Sequence, residues 1–400
     1  MKNGWQTKRL GELCEVFADG DWIESKDQSS DGIRLIQTGN VGEGVFKDRA
    51  KKARYISEAT FKRLRCTEIV EGDCLISRLP DPVGRSCILP DTGERMITAV
   101  DCTILRFKPK QCLPVFFNFY SQSDEYLGTV AKKCTGTTRS RISRSNLGLI
   151  PIPVPPLPEQ KRIVGILDEA FEGIAVAKVN AEKNLQNART LFESHLQSVF
   201  NQRGEGWMEK KLEQIGTTQT GSTPKTSERD NYGDFIAFIK PADFNKDGSL
   251  DYENDGLSKK GLSLARKVAS GSVLMVCIGA TIGKCGYCDR DVTTNQQINS
   301  LTPSRGVSHK FLYYQMLTAS FQQRVLLSSG QATLPIINKS KWSALTVGLP
   351  PTLEEQKRIT SIFDALSSET QRLESIYHQK LTALDELKKS LLNQAFNGDL

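Results

Sequence analysis

The 400-residue sequence predicts an α+β protein in which two similar globular domains of mixed α and β structure are separated by two long antiparallel helices that form a coiled coil. Three observations predict this fold. The phrase PPLPEQKRI at 155–163 returns as PPTLEEQKRI at 350–359, a stretch with helical periodicity follows each phrase, and the stretches before the phrases match in the same order. The sequence is therefore an internal repeat, and we expect a pseudo-two-fold, circular arrangement of its copies.

The repeat predicts four segments. Globular domains occupy 1–155 and 204–351, a central helical region occupies 156–203, and a second helical region occupies 352–400. Four pairs of segments match between the two globular domains, in the same order along the chain. They are Gly4-Trp5 with Gly206-Trp207, GDCLISRLPDPVGR (72–85) with GSVLMVCIGATIGK (271–284), GTTRSRISRSNL (136–147) with GQATLPIINKSKW (330–342), and IPIPVPP (150–156) with LTVGLPP (345–351). The last pair alternates as a strand does.

The two helical stretches match without a gap. A constant offset of 196 carries Gln160 onto Gln356 and Phe200 onto Phe396. Apolar or small residues recur at spacings of three and four, which predicts helices with one apolar seam that each need a partner. About 40 residues at ~1.5 Å each make a rod of about 60 Å. Because each rod follows a globular domain, we expect antiparallel packing, with Leu400 near Met1.

Different start signals precede the two helices. Pro158 suits the first helical position, where an N–H is not needed, and Glu159 then lies at the positive end of the helix dipole. Thr352 has the spacing of a capping box to Glu355. We therefore expect Thr352 to cap the second helix and Glu355 to reach back to it.

The composition argues against several classes of protein. No run approaches 18 apolar residues, and MKNGWQTKRL lacks the apolar core of a signal peptide, so we expect a cytoplasmic protein without a membrane span. The ten cysteines show no disulfide framework, and the single CxxC at Cys285 and Cys288 has no second pair for zinc. No metal site is expected in this chain. The net charge of +7 permits a polyanionic partner.

Two similar but diverged domains held apart by a rigid spacer suit a target with two different half-sites. DNA is the natural candidate, because dimeric readers hold their recognition elements at distances set by the helical repeat, about 34 Å per turn. Basic side chains would contact phosphates, and amides would read adenine edges. The candidate DNA contacts are Lys47, Arg49, Lys51, Lys52, Arg54, Arg78, Arg85, Arg139, Arg141, Arg144, Lys284, Asn295, Gln296, Gln297 and Lys339. The alternatives are solvated basic loops and, for Asn295 to Gln297, a polar strand or turn.

The two PP…EQKRI phrases, GTTRSRIS (136–143) and LKKSLLNQAFNGDL (387–400) together resemble the specificity (S) subunit of type I restriction-modification enzymes. The resemblance covers the whole chain. It implies two target recognition domains that each read one part of a split sequence in double-stranded DNA, and helices that dock two methyltransferase (modification) subunits. GQATLPIIN departs from the family pattern, since it lacks the TTR of the first copy.

The same resemblance implies that restriction and translocase subunits complete the complex. S-adenosylmethionine would be bound by the methyltransferase, ATP and magnesium by the motor-nuclease, and no cofactor by this chain. The candidate docking residues at the helix starts are Glu159, Gln160, Arg162, Glu355, Gln356 and Arg358.

Two rival functions remain to be compared with DNA recognition. An adenine methyltransferase would need Asn, Asp or Ser before a PP pair and an aromatic residue after it, and neither pair has them; Gly42-Glu43-Gly44 also lacks the context of a cofactor loop. We therefore expect a non-catalytic subunit. The other rival is a scaffold that assembles partners without reading DNA, and its helices would look the same.

Overall fold

The computed structural model describes residues 4–136, 140–330 and 334–400. The chain divides into two compact units. Unit 1 comprises Met1–Ala181 and Gln379–Leu400, and unit 2 comprises Glu182–His378. Each unit therefore combines one globular copy of the repeat with a part of each long helix.

The first copy of the repeat is built from short strands and helices, and it ends at the first long helix. Its elements are β1 (Gln6–Arg9), β2 (Cys14–Asp19), β3 (Gln28–Ser29), β4 (Ile33–Ile36), β5 (Tyr55–Ile56), α1 (Glu58–Leu64), β6 (Glu68–Ile69), β7 (Cys74–Ser77), β8 (Ser86–Ile88), β9 (Met96–Thr98), β10 (Cys102–Phe107), α2 (Pro114–Tyr120), α3 (Asp124–Lys132), α4 (Arg144–Gly148), β11 (Pro151–Val154) and α5 (Leu157–Gln202).

The second copy repeats this order and ends at the second long helix. Its elements are β12 (Met208–Lys211), α6 (Leu212–Ile215), β13 (Gly216–Thr220), β14 (Tyr232–Ile239), β15 (Gly256–Leu257), α7 (Lys259–Leu264), β16 (Lys267–Val268), β17 (Val273–Val276), β18 (Cys285–Tyr287), β19 (Val292–Thr294), β20 (Ile298–Pro303), α8 (His309–Met316), α9 (Ala319–Ser328), α10 (Lys339–Ser343), β21 (Thr346–Leu349) and α11 (Leu353–Asn397).

Both copies contain equivalent sheets, except that β3 adds a fifth strand to one sheet of the first copy. In the first copy the strand orders are β1-β11, β2-β10-β7-β8 and β3-β5-β4-β9-β6; in the second they are β12-β21, β13-β20-β17-β18 and β15-β14-β19-β16. β4 with β9 and β14 with β19 are parallel pairs, whereas the other strands of these sheets pair antiparallel. The sheets are thus mixed, and the predicted repeat is confirmed at the level of topology.

The central sheet of each copy is buried on both faces, which explains its continuous apolar strands. In β7, Cys74 and Ile76 face the core beneath the helices of the first copy, while Leu75 faces a second core. β17 alternates in the same way, with Met275 in one core and Leu274 in the other. Side chains that point alternately to opposite faces thus join two cores through one sheet.

Parts of the two long helices pack against each other within unit 1. Lys388 of α11 lies 4.9 Å from the ring centroid of Phe171 of α5, and Lys178 of α5 forms an ion pair with Asp385 of α11. Near the start of α5, Arg162 donates to the carbonyl of Leu400 at 2.7 Å. Position numbers rise along one helix as they fall along the other, so the packing is antiparallel.

The same arrangement holds within unit 2. The ring of Phe363 on α11 stacks on that of Phe200 on α5 at 5.7 Å, and Phe192 lies edge-on to Phe363 at 6.4 Å. Farther along, Arg189 donates to Glu374 at 2.6 Å. The fold prediction of two globular α and β domains with two long, antiparallel, paired helices is confirmed.

The helix starts agree only partly with their predicted caps. α5 begins at Leu157, so Pro158 lies at the second helical position rather than the first. Thr352 caps α11 as expected, since its hydroxyl accepts from the Glu355 N–H at 3.2 Å. The Glu355 carboxylate accepts instead from the Trp207 indole at 3.2 Å, which ties the helix start to the second copy. Met1 lies outside the described residues; Trp5 and Leu400 pack against the same core.

Candidate nucleic-acid interface

The loop between β4 and β5 carries the densest basic cluster of the first copy. Lys47, Arg49, Lys51, Lys52 and Arg54 are all exposed, and a single 3-10 turn at Ala50–Lys52 shapes the middle of the loop. Together with polar residues of the preceding turn, Arg49, Lys52 and Arg54 line a shallow pocket of about 340 Å³. The loop thus presents positive charge to solvent, as predicted.

A buried arginine anchors this basic loop. Arg34 is 4% exposed and donates to Glu94 at 2.7 Å and to Asp48 in the loop itself. Burial acts to lower the pKa of Arg34, but the hydrogen bonds to Asp48 and Glu94 outweigh it and leave the pKa raised. Arg34 therefore stays charged and holds the only acidic residue of 47–54 away from the basic side chains.

The equivalent loop of the second copy has the opposite charge. Between β14 and β15 it carries Asp251, Glu253 and Asp255, and neighbouring side chains make a groove of about 730 Å³. The two loops follow equivalent strands, yet one would attract phosphate and the other would repel it. The basic loop is therefore a property of the first copy alone.

A second charged cluster in the first copy surrounds the end of β2. Arg141 pairs with Asp101 at 3.1 Å, and Asp19 lies between Arg144 at 3.9 Å and Arg78 at 3.4 Å. Arg141 and Arg144 are exposed, whereas Arg78 is buried, donates to the Val100 carbonyl and has its pKa lowered by burial. Arg139 lies outside the described residues.

Arg85 has a role within the fold rather than on the surface. Its guanidinium donates to five backbone carbonyls, those of Thr38, Val41, Leu79, Pro80 and Pro82, at 2.7 to 3.0 Å. Its donors are therefore occupied by the turns that they hold together, and burial lowers its pKa. DNA contact by Arg85 would require these bonds to break.

Lys284 occupies the equivalent place in the second copy. It donates to the carbonyl of Pro241 at 3.3 Å and lies 5.9 Å from the ring centroid of Phe244. Gly84 and Gly283 precede the two basic residues with φ of 92° and 90°, which favours glycine at both turns. The sequence match of these positions is thus a match of turn structure.

The amide-rich stretch of the second copy forms the turn between β19 and β20. Asn295 is 9% exposed and exchanges hydrogen bonds with Gln297 at 3.0 and 3.1 Å, so it closes the turn. Gln296 is exposed and accepts from the Thr223 hydroxyl, and Gln297 is half-buried. Gln296 is therefore the amide best placed to meet a ligand. Lys339 is exposed at the start of α10, as Arg144 is at the start of α4.

The glutamines of the doubled phrase are fully inside the fold. Gln160 is 0% exposed; its amide accepts from Leu113 N–H at 2.9 Å and donates to the carbonyls of Gln111 and Pro155. Gln356 is 2% exposed, and accepts from Ser308 N–H at 2.8 Å. The sequence predicted that these two amides dock a partner subunit. Their burial conflicts with that prediction. Each instead ties a long helix to the N-terminal end of α2 or α8.

The charged residues of the phrase are more open. Arg162 pairs with Glu159 through two hydrogen bonds of 2.8 Å, and its side chain is 46% exposed. In the second copy Arg358 is exposed, while Glu355 is half-buried against Trp207. Arg162 and Arg358 are therefore the most exposed of these four charged side chains.

The CxxC pair is structural. Cys285 of β18 packs in the core beneath α8 and α9, whereas Cys288, the residue after β18, packs in the other core. Their thiols contact backbone carbonyls of Gly283 and Ala269 at 3.1 and 3.3 Å. Within 4–136, 140–330 and 334–400, no group of three or more His, Cys, Asp or Glu side chains could hold a metal ion.

Sequence reasoning missed the acidic partners of the arginines. Asp19 lies 125 positions from its partner Arg144, and Asp101 lies 40 positions from its partner Arg141. A search for phosphate contacts looks for positive charge and so passes over both carboxylates. Their positions could have indicated that they lie close together, because Asp19 ends β2 and Asp101 immediately precedes β10, the antiparallel neighbour of β2.

Comparison with known proteins identifies the family. The model of the type I restriction modification DNA specificity domain matches residues 2–186 and 204–383, one match for each copy. The chain belongs to this family. The HindI specificity subunit of Haemophilus influenzae is 32% identical over 203 residues, which span 49% of this chain and 42% of that subunit.

Other members of the specificity-subunit family match over greater lengths. The putative MjaX specificity subunit of Methanocaldococcus jannaschii is 22% identical over 99% of this chain and 93% of its own length. Two solved structures share the fold. A chain from a type I R-M system matches with a TM-score of 0.80 and 20% identity over 100% of this chain and 99% of that one. The HsdS subunit of Thermoanaerobacter tengcongensis matches with a TM-score of 0.65 and 19% identity over 100% of this chain and 98% of that one.

Membership confirms the predicted resemblance and the prediction of a non-catalytic specificity subunit of a type I restriction-modification system. No helix within the described parts of this specificity subunit is both long enough and apolar enough to cross a bilayer.

Proposed function

We propose that this specificity subunit reads an asymmetric, two-part sequence in double-stranded DNA. Residues 1–155 and 204–351 are the two target recognition domains, and each reads one half-site. The helical regions 156–203 and 352–400 set the gap between the half-sites and dock the partner subunits. The chain works in the cytoplasm, where the DNA and the partner subunits are.

The observation that carries this proposal is that two copies with one topology present different chemistry at equivalent positions. Arg141 and Ile336 each close a loop through a backbone bridge, to Thr135 and to Gly330. Arg141 is a charged group beside Asp101, whereas Ile336 is apolar. A protein with two such sites fits a target whose halves differ.

The strand ends beside these loops differ in the same way. Asp101 immediately precedes β10, and Gln297 immediately precedes the equivalent β20; Asp19 ends β2, and Thr220 ends the equivalent β13. At these two strand ends the first copy therefore places carboxylates, whereas the second places an amide and a hydroxyl. Arginine favours phosphates and guanine edges and a carboxylate accepts from the cytosine amino group, whereas amides pair with adenine.

Arg144 and Lys339 are the candidates for a contact common to both half-sites. Each is exposed and opens a short helix, α4 or α10, directly after a capping Ser143 or Asn338. A positive charge at the same place in both copies would contact phosphate and contribute affinity without sequence preference. The basic loop 47–54 would add phosphate contacts on the first half-site only.

The helix starts carry the docking part of the proposal. Exposed Arg162 and Arg358, with Glu159 and Glu355, place like charges in like positions of the two copies, which fits two identical methyltransferase subunits. Restriction and translocase subunits complete the complex. S-adenosylmethionine, ATP and magnesium are then bound by those partners.

Selection from randomised duplexes tests the proposal. The chain is purified with its partner methyltransferase, bound duplexes are sequenced, and modified adenines are mapped in the host genome with and without the gene. We expect one motif of two different halves separated by a fixed gap. Assembly of the complex with no enriched motif would favour a scaffold that does not read DNA.

A further inference from the structure

A groove of about 450 Å³ lies in unit 2 where the second long helix begins. Its walls are apolar and aromatic, and one rim is polar. The lining includes His195, Trp207, Glu355, Arg358, Ile362 and Phe363. Ile362 is an apolar side chain that is 44% exposed in this groove.

The equivalent place in unit 1 shows what such a groove accepts. The offset of 196 carries Arg358 onto Arg162 and Ile362 onto Ile166, and Trp207 matches Trp5. There, Arg162 donates to the backbone carbonyl of Leu400 at 2.7 Å, and the Leu400 side chain packs against the core that Trp5 also covers. In unit 1, a carbonyl therefore accepts from the arginine, and the apolar side chain of the same residue packs against the core.

Unit 2 has no such occupant of its own. Leu400 corresponds to Gly204 by the constant offset, or to Glu205 if the left-handed residues Gly398 and Arg203 are aligned. Neither residue has an apolar side chain. No described residue accepts a hydrogen bond from Arg358, whereas its counterpart Arg162 is bonded both to Leu400 and to Glu159.

We infer that the groove of unit 2 is a docking site for an extended segment of the partner methyltransferase subunit that presents a leucine-like side chain next to a backbone carbonyl or carboxylate. The apolar side chain lies between Trp207 and Ile362, and the oxygen accepts from Arg358. The identity of the partner rests on the proposed function; the chemistry of the segment rests on the Leu400 seat.

The same contacts explain why the ligand is a peptide rather than DNA. Burying an apolar side chain contributes about 1.5 to 3 kcal/mol, and a nucleic acid backbone offers no such group. The groove also contains Glu355, whose carboxylate would repel phosphate and is already engaged with the Trp207 indole. A carbonyl or a single carboxylate on Arg358 is compatible with that arrangement.

The structure also makes the two docking positions unequal. In unit 1 the seat is filled from within the chain, and in unit 2 it is open. Two identical partner subunits would therefore meet different surfaces, and only the one bound at unit 2 would insert a segment.

The probe for this inference is the peptide acetyl-Asn-Gly-Asp-Leu, which copies residues 397–400. The indole N–H signals of the four tryptophans in the full chain are followed by NMR during titration. We expect the Trp207 signal to shift and saturate, with a Kd on the order of 1 mM, and the Trp5 signal to stay, because its seat is filled. A peptide ending in Ala should be at least fivefold weaker, as should Arg358→Ala. A static Trp207 signal at 10 mM peptide, or equal binding of the Ala peptide, would overturn the inference.

A second measurement separates this inference from the proposed function. Ile362→Asp should weaken assembly with the partner methyltransferase at least tenfold, while the recognised DNA motif stays the same. Val176→Asp, a change of an exposed apolar residue elsewhere, is the matched control. Assembly unaffected by Ile362→Asp refutes the docking site and leaves DNA recognition standing. Loss of assembly in a chain that enriches no motif supports the groove and refutes the recognition proposal.

Discussion

The Gln160 side-chain amide accepts a hydrogen bond of 2.9 Å from the backbone N–H of Leu113, 47 positions earlier in the chain. Leu113 is the residue before α2, and Gln356 bonds in the same way to Ser308, the residue before α8. A repeated buried amide thus connects each long helix to the helical layer of its own copy. The repeated phrase therefore fixes each long helix to its own copy through a buried glutamine. The exposed charged side chains of the phrase are the ones that can contact a partner.

Gln160→Ala should destabilise the chain by about 1 to 3 kcal/mol, because the Leu113 N–H loses its acceptor in a largely buried place. Urea denaturation of the full chain measures this change in the free energy of unfolding. Lys161→Ala, at the exposed neighbouring position, should alter the free energy of unfolding by less than about 0.5 kcal/mol. Equal effects of the two variants would contradict the role of the amide.

Phe396→Ala should cost about 3 to 5 kcal/mol, because the ring is 6% exposed and packs edge-on against Phe116 at 5.4 Å and Tyr120 at 5.0 Å. The second long helix would lose its aromatic contact with the first copy. Leu387→Ala, at a position 46% exposed, is the matched control on the same helix. Thermal unfolding followed by circular dichroism should show a large shift for the first variant and little for the second.

Arg141→Ala with Arg144→Ala should weaken DNA binding and reduce the slope of log K against log salt by about 0.9 for each lost phosphate contact. The affinity is measured with the partner methyltransferase present, over a range of salt concentrations. Arg95→Ala removes an arginine of matching exposure that pairs with Glu58 and Glu68 in the same copy, and it should leave the slope unchanged. An unaltered slope in the double variant would remove this cluster from the DNA surface.

Buried thiols should make the protein sensitive to alkali. Burial raises the pKa of Cys87 from 9.0 to about 12. Below pH 9 the thiol is protonated in both states, and its contribution to stability is complete. Between pH 9 and 12 only the unfolded state ionises, so the free energy of unfolding falls by about 1.4 kcal/mol per pH unit for this thiol.

Denaturation at pH 8 and at pH 10 checks this prediction. Cys87→Ala will be less stable at pH 8 because of the cavity, but its loss between the two pH values should be about 1.4 kcal/mol smaller than that of the wild type. Cys134, the only described cysteine that is not buried, provides Cys134→Ala as a control with a smaller difference. The same pH dependence in all three proteins would show that other groups are responsible.

The sequence predicted the features that repeat and failed at those that depend on distant contacts. Periodicity and the constant offset predict two helices with matching apolar faces, because the apolar face of a helix is set by residues three and four positions apart. The hydrogen bonds of Gln160 and Arg85 are made to backbone groups up to 49 positions away, so the sequence alone predicted surface contacts for both side chains. Asp19 and Asp101 were missed for the same reason: their meaning comes from Arg144 and Arg141 across the fold.

The gap between half-sites should follow the length of the helices. Removing one heptad from both α5 and α11 at facing positions shortens each by about 10 Å, which corresponds to about three base pairs. Mapped methylation sites should keep both half-sites and show a shorter gap, with weaker binding because the half-sites also rotate around the DNA. A gap that does not change would mean that the helices do not set the spacing.

The exchange of one recognition domain tests the central claim most directly. Residues 1–150 are replaced by those of a family relative with a different target, and the modified adenines are mapped in a host that supplies the partner methyltransferase. The account predicts a new motif in which one half and only one half has changed, with the gap retained. A change in both halves, or in neither, would contradict independent recognition by the two copies.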